Sequence, residues 1–190
     1  MPSTNKLVIF LFLLFPAIAQ GGTTLTNQIL AIESVYQSVT DLSADFIQET
    51  HVEVLNKIVK QQGKIFLKKG GKLRMEYTSP ERKLYLSDGK QPDELIPHDA
   101  LSFLIGFGSI RKVFRIAPSK IFGIVPENSI ALHLKPRSKQ SPYTSLDVLF
   151  DADRKIQKLL IRNPSGNVTT YSFAHVTTNS KLADSLFQGL

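Results

Sequence analysis

The chain has 190 residues, contains no cysteine and no tryptophan, and carries a formal net charge of +7 at pH 7. The absence of cysteine excludes disulfides, thiol catalysis, cysteine-bound metals and a lipid anchor on an N-terminal cysteine. The excess of Lys and Arg favours contact with an anionic membrane surface or an acidic partner, and simple solubility explains it equally well.

The first residues have the pattern of an export signal. Lys6 supplies a positive charge, Leu7–Phe15 is a short apolar run, and Pro16 ends that run before the small-residue pattern Ala17-Ile18-Ala19. The apolar run is too short for a transmembrane helix. We therefore expect residues 1–19 to be a signal peptide that is cleaved after Ala19. Residues 20–190 are enough for one domain with a sizeable core.

One amphipathic helix is predicted directly after the signal. Thr23 or Thr24 is the expected residue that caps its N-terminus. Apolar residues recur there at spacings of four and three, which places them on one face: Leu25, Ile29, Ile32, Tyr36 and Val39.

Most of the remaining chain is predicted to form short strands separated by turn residues such as Gly70-Gly71. Alternation is clearest where Leu73, Met75 and Tyr77 share one face of a strand. This spacing indicates an antiparallel meander, a barrel or a strongly curved sheet. The predicted strands are Ser43–Val54, Val59–Lys68, Lys72–Thr78, Lys83–Ser87, Arg111–Ala117, Ser129–Leu134, Thr144–Phe150, Lys155–Arg162 and Val168–Val176. Between them, Pro97–Gly106 is apolar without alternation and is predicted to be a short helix or loop.

The titratable residues form no recognisable catalytic or metal-binding pattern. The histidines are scattered and have neither HxxxH nor HxH spacing. They are His51, His98, His133 and His175. Asp151 and Asp153 flank a turn, where carboxylates usually serve as turn formers. We therefore expect no enzyme, no metal and no other cofactor. Basic residues are not interleaved with aromatic ones, so nucleic acid is not an expected partner.

The apolar composition is left as the main indication of function. The chain has twelve Phe and five Tyr in a mostly strand-forming sequence. In a small closed barrel these side chains would fill the interior. In an open barrel the same side chains could line a cavity for an acyl chain, and composition alone does not separate the two.

Several segments, in order, resemble the periplasmic outer-membrane lipoprotein carrier family, LolA. The resemblance starts at Leu42–Gln48, which is similar to the family's A-x-F-x-Q strand, and continues at Gly63–Lys69. Its most specific part is Leu73-Arg74-Met75-Glu76-Tyr77-Thr78-Ser79-Pro80, followed by Ser87-Asp88-Gly89-Lys90. Leu132–Pro136 and Ser185–Phe187 complete it.

The resemblance implies a mainly β fold of the α+β class. The expected architecture is an unclosed, strongly curved antiparallel β-barrel with an N-terminal helix and short lid helices. It also implies a monomeric periplasmic chaperone whose hydrophobic cavity shelters the acyl chains of triacylated lipoproteins. Such a carrier takes its cargo from an inner-membrane ABC transporter and passes it to an outer-membrane acceptor.

Three groups of site residues follow from this resemblance. The expected acyl-chain wall consists of Phe46, Leu73, Met75, Tyr77, Leu84 and Leu86. The expected lid consists of Leu101, Phe103, Leu104 and Ile105. Lys69 matches a basic position, often Arg in the family, that latches the lid, and Lys69 and Arg74 are the expected lid or partner contacts. A lysine cannot form the planar fork of an arginine, so a looser latch is expected.

One departure from the family pattern follows Lys90. The family usually continues with an aromatic strand and its pairing partner, whereas here Gln91–Leu95 leads almost directly to the apolar Pro97–Gly106 segment. Roughly one hairpin is missing, judged by strands of about five or six residues. We therefore expect a narrower sheet with a smaller or more open cavity.

Two other functions stay open from the sequence alone. A binding module of the same fold could carry another lipid or sense lipoproteins, and the missing hairpin favours that alternative somewhat. A lipid hydrolase would need a buried Ser-His-Asp set, which cannot be assembled from the sequence.

Overall fold

The computed structural model describes residues 24–89 and 110–189. The predicted signal peptide, the predicted lid residues Leu101, Phe103, Leu104 and Ile105, and the segment where a hairpin is missing all lie outside these ranges. Among the described residues, no helix is both long enough and apolar enough to cross a membrane.

The predicted N-terminal helix is confirmed as α1, Leu25–Gln37. Thr24 is its N-cap, with an extended backbone and a hydroxyl that accepts a hydrogen bond from the Asn27 amide at 3.4 Å. Ile29, Ile32 and Tyr36 are buried, as their helical spacing predicted. The helix therefore presents one apolar face to the core.

Nine strands form one antiparallel sheet in the described part of the chain. They are β1 Asp41–Val52, β2 Lys57–Lys68, β3 Lys72–Ser79, β4 Lys83–Asp88, β5 Phe114–Pro118, β6 Ile130–Pro136, β7 Ser145–Phe150, β8 Ile156–Arg162 and β9 Val168–Thr178. Every strand predicted from the sequence is present. The remaining elements are a short helix α2, Ile110–Val113, and two 3₁₀ turns, Glu53–Leu55 and Asp184–Phe187.

The strand order is β4-β3-β2-β1-β9-β8-β7-β6-β5. Two meanders, β1 to β4 and β5 to β9, are joined where β1 pairs with β9, for example Phe46 opposite Phe173. β4 and β5 are the two edges, so the sheet is open within the described ranges. The predicted antiparallel, unclosed sheet is therefore confirmed.

The start of the fifth strand differs from its prediction. Residues from Arg111 were expected to be extended, whereas Ile110–Val113 is helical and β5 begins at Phe114. Ile110 and Phe114 are both buried while Arg111 is exposed. One helical turn brings residues four apart to the same side, so this conformation buries both apolar side chains.

Helix α1 is fixed to the sheet through Tyr36 and Glu33. The Tyr36 hydroxyl accepts a hydrogen bond from the Ile156 amide at 3.1 Å, and its ring meets Phe150 edge-to-face at 5.7 Å. Burial raises the pKa of Tyr36 well above its usual value, so the phenol stays neutral. The buried Glu33 carboxylate accepts a hydrogen bond from Arg111 of α2 at 2.8 Å.

Candidate functional site

Aromatic side chains from four strands meet on the core face of the sheet. We call this the aromatic cluster, and its members are Phe46 of β1, Tyr77 of β3, Tyr85 of β4, and Tyr171 and Phe173 of β9. Ring centroids of neighbouring members lie between 5.1 and 6.1 Å apart. Edge-to-face and offset contacts at such distances are favourable beyond the area that they bury.

Gly63 makes the centre of this cluster possible. It lies on β2 between Phe46 of β1 and Tyr77 of β3 in the cross-strand pairing. Because Gly63 has no side chain, the two rings meet above it with centroids 5.1 Å apart. A Cβ at position 63 would lie 1.9 Å from the carbonyl oxygen of Glu76, a separation too short for any side chain.

Burial keeps two phenols of the cluster, Tyr77 and Tyr171, protonated. The Tyr77 hydroxyl donates to Gln48 Oε1 at 2.7 Å. Burial raises the pKa of Tyr77 to about 12, and burial also raises the pKa of Tyr171 far above its usual value. These two buried phenols are therefore uncharged at neutral pH, suited to apolar contact and unsuited to acid–base chemistry.

Four of the six predicted wall residues share this face. Phe46 and Tyr77 belong to the aromatic cluster, and Leu73 and Met75 continue it along β3. Met75 lies opposite Tyr85 of the edge strand β4. The alternation that predicted a common face for Leu73, Met75 and Tyr77 is therefore reproduced.

Leu84 and Leu86 lie on the opposite face of the sheet, which corrects their predicted place in the same wall. Leu84 is paired with Glu76, and Leu86 with Arg74, on the side away from the core. The side chain of Leu84 is 50% exposed. Successive residues of a strand point to opposite faces, so Tyr85 between them is the β4 side chain that faces the core. Tyr85 packs half-buried against the core and takes the place that the prediction gave to its neighbours.

Lys69 lies in the turn between β2 and β3 and contacts α1. Its ammonium group donates to the backbone carbonyl of Gln37 at 2.9 Å, at the last residue of the helix. A cation at a helix C-terminus binds a carbonyl without a helical partner and complements the helix dipole. In the part of the chain that the structure describes, Lys69 thus holds the helix, and its predicted contact with a lid remains a prediction.

Arg74 lies on the opposite face, where it holds the C-terminal segment. Its guanidinium group donates to the Leu186 carbonyl at 3.0 Å and pairs with Glu76. Lys68 and Lys72 bind Asp184 of the same segment at 2.6 and 2.9 Å. Residues 184–187 thereby pack on β3 and β4. This placement gives Arg74 a structural role and directs it away from the aromatic cluster.

No group of three or more potential metal ligands occurs among residues 24–89 and 110–189. His133 and Ser119 both contact one oxygen of the buried Asp147 carboxylate, at 3.0 and 2.7 Å. Ser119 and His133 therefore each form a hydrogen bond with Asp147. In a catalytic pair, the nucleophile would instead form a hydrogen bond with its base. His175 pairs with Asp45 at 2.8 Å, and His51 with Glu53 at 3.5 Å.

Two curated relatives are described as outer-membrane lipoprotein carrier proteins. The protein from Nitrosospira multiformis is 23% identical over 99% of this chain and 94% of its own length. The protein from Bordetella avium is 25% identical over 92% of this chain and 86% of its own length. Among solved structures, a LolA superfamily protein from Nitrosomonas europaea aligns with 85% of this chain and 96% of its own, with a TM-score of 0.43 and 11% identity.

The family described as outer membrane lipoprotein carrier protein LolA matches residues 37–92 and 119–189. These residues include α1's C-terminal residue, the whole aromatic cluster and the C-terminal turn that Arg74 holds. The match extends over more than half of the chain, and the chain therefore belongs to the LolA family of outer-membrane lipoprotein carrier proteins.

Proposed function

We propose that this protein is a periplasmic carrier that binds lipoprotein acyl chains beside its aromatic cluster and moves them from the inner to the outer membrane. The observation that carries the proposal is Tyr85, a core-facing ring on an edge strand. It contacts Tyr77 at 5.5 Å and is only partly buried, so the cluster is accessible from the β4 edge. The family match and the carrier relatives support the same function.

The chemistry of the cluster suits reversible binding of an acyl chain. Transfer of a methylene group from water to an apolar surface contributes about 0.8 kcal/mol, so a full acyl chain supplies ample affinity. Release of the acyl chain requires that the complex leave some of its methylene groups unburied, so that the binding free energy stays moderate. An edge that leaves Tyr85 half-buried would limit the buried area and keep the complex reversible.

We infer further that the lid comes from Leu101, Phe103, Leu104 and Ile105, as the family resemblance implies. The proposed partners are an inner-membrane ABC transporter and an outer-membrane acceptor. The proposed carrier acts as a monomer, needs no cofactor and catalyses no reaction.

A release assay tests the proposal directly. Spheroplasts that carry newly made triacylated lipoproteins would be incubated with the purified mature chain, and the medium examined for a soluble complex. We expect a stoichiometric complex with the unaltered chain. No release by a chain whose circular dichroism shows it to be folded would contradict the carrier function.

Two neighbouring residues on β4 provide a matched pair of variants for that assay. Tyr85→Glu places a charge on the core face, whereas Leu84→Glu places the same charge on the opposite face. Both positions lie on the edge strand and retain some exposure, so both variants are expected to fold. We expect Tyr85→Glu to lose the complex and Leu84→Glu to keep it. Equal loss in both would contradict an acyl-chain site at this edge.

A further inference from the structure

The hairpin between β1 and β2 ends in exposed apolar side chains. We call residues 53–59 the hairpin tip. In it, Val54, Leu55 and Ile58 are 87%, 68% and 65% exposed. Asn56 adopts a left-handed conformation, with φ of 43°, that turns the chain between them. Exposed aliphatic side chains are unfavourable in water, and a cluster of them on a surface marks a site of interaction.

A basic pocket lies at the end of β5 and β6. Its volume is about 430 Å³, and its lining contains four cations and no carboxylate. The cations are Arg115, Lys135, Arg137 and Lys139. Ser138 and Ser141 are also in the lining, and their hydroxyl oxygens accept hydrogen bonds from backbone amides, which leaves the O–H groups as donors. Cations together with hydroxyl donors are typical partners of a phosphate group.

The charges of the basic pocket are not compensated within the described part of the chain. Arg115 and Lys135 lie directly opposite each other on neighbouring antiparallel strands, where like charges are destabilising. Neither they nor Lys139 forms an ion pair with a carboxylate in residues 24–89 or 110–189. Arg137 is held by the carbonyl groups of Arg111 and Phe114, at 3.1 and 3.2 Å. An anionic ligand would relieve this repulsion.

The turn between β8 and β9 connects the hairpin tip to the basic pocket. The Glu53 amide of the tip donates to Asn167 Oδ1 at 3.0 Å, and Pro164 of the same turn lines the pocket. Strands in a sheet are about 4.8 Å apart, so β1 and β6, four positions apart in the strand order, are about 19 Å apart as measured along the sheet. The two features therefore belong to one rim of the molecule.

We propose that this rim binds the surface of an anionic phospholipid bilayer. The hairpin tip enters the boundary between headgroups and acyl chains, and the basic pocket receives the phosphate group of a headgroup. Apolar insertion combined with cation–headgroup attraction is the usual basis of reversible binding to a membrane surface. A small apolar tip and a separate basic pocket on the same rim match a lipid surface better than the extended face of a protein partner. This inference goes beyond cargo carriage, because it requires no lipoprotein.

A fluorescence experiment tests the position of the tip. The chain contains no tryptophan, so Leu55→Trp introduces a single tryptophan there, whose emission can be excited apart from that of the tyrosines. We expect its emission to shift to shorter wavelength with vesicles of phosphatidylcholine and phosphatidylglycerol in equal parts, and not with phosphatidylcholine alone. Ile124→Trp is the matched control, because Ile124 is fully exposed in the loop at the opposite end of β6. An equal shift at both positions, or none at Leu55, would overturn the proposal.

Vesicle flotation tests the pocket in chains without the added tryptophan. Arg115→Gln with Lys135→Gln should weaken binding to the anionic vesicles about tenfold. Lys120→Gln with Lys155→Gln removes the same charge from exposed positions at the opposite end of the strands. This control should weaken vesicle binding by less than about threefold. Equal losses would show binding by net charge alone. Saturable binding of glycerol phosphate without vesicle binding, or binding only to protease-sensitive membranes, would also overturn the proposal, in favour of a soluble phosphate compound or a protein.

Discussion

Phe46 and Tyr77 meet edge-to-face at 5.1 Å although the strand β2 lies between their own strands. The contact exists because the β2 residue between them is Gly63. A single glycine thus determines the packing of the surface proposed to hold an acyl chain. It also allows β3 to approach so closely that the Glu76 carbonyl occupies the space of a side chain.

We predict that Gly63→Ala destabilises the protein. The added Cβ would lie 1.9 Å from a backbone oxygen, so β2 and β3 would have to separate. Overpacking of this kind typically costs about 1–3 kcal/mol, and we expect the upper end because backbone must move. Urea unfolding measures the change. Gly189→Ala is the control, since a Cβ there meets nothing within 4 Å. Equal stability of the two variants would contradict this account of Gly63.

We predict that stability falls at alkaline pH because of Tyr77. Its pKa is raised from 10.0 to about 12 by burial, so between these values the unfolded chain loses a proton that the folded chain retains. The free energy of unfolding therefore decreases as pH rises above about 10. Tyr77→Phe removes this contribution and should flatten the decrease, measured by urea unfolding at several pH values.

The same variant has a second effect at neutral pH. Tyr77→Phe removes the hydrogen bond to Gln48 Oε1, which should cost about 1 kcal/mol. Because Tyr171 and Tyr36 are also buried phenols, some alkaline destabilisation should remain in the variant. An unchanged pH profile would show that Tyr77 titrates in the folded chain as it does in the unfolded one.

The strand pattern of this chain could be predicted from alternation and turn residues, but the face of each strand only in part. Within β3, the alternation of apolar and polar side chains correctly predicted that Leu73, Met75 and Tyr77 share one face. The orientation of β4 depends on the register across the turn, which pairs Tyr77 with Lys83 and Met75 with Tyr85. Leu84 and Leu86 were predicted to share the wall with these residues, but this register turns Tyr85 toward the core and both leucines away from it.

The contribution of β9 could not be predicted from local sequence. Tyr171 and Phe173 reach the aromatic cluster only because β1 pairs with β9, a contact between opposite ends of the domain. Alternation identifies a strand, and only the tertiary arrangement selects its neighbour. The Lys69 contact with Gln37 likewise joins two elements whose relative position no local pattern specifies.

We predict that Lys69→Met weakens the end of α1. The substitution keeps a long apolar stem but removes the charge and the donor to the Gln37 carbonyl. The helix has no basic residue of its own in its last turn, so the expected loss is about 0.5–1 kcal/mol at low salt. Lys69→Arg should retain most of the stability. Lys120→Met, an exposed position with no such contact, is the control for charge removal, and an equal loss there would remove the specific role of Lys69.

We predict that the C-terminal segment detaches in acid, because Asp184 holds it through Lys68 and Lys72. Hydrogen bonds from these lysines lower the pKa of Asp184 from 3.8 to about 2. A carboxylate with a lowered pKa stabilises the folded state above its unfolded pKa, and this stabilisation is lost as pH falls from about 4 to about 2.

Asp184→Asn should mimic the acid form at neutral pH. Amide hydrogen exchange at Leu186 and Phe187 measures the detachment. These residues pack on β3 and β4 in the folded chain, so their exchange should become faster when the segment leaves the sheet. Asp153→Asn, at an exposed turn, should leave that exchange unchanged. If Asp184→Asn also left it unchanged, Arg74 and the burial of Phe187 would be sufficient to hold the segment.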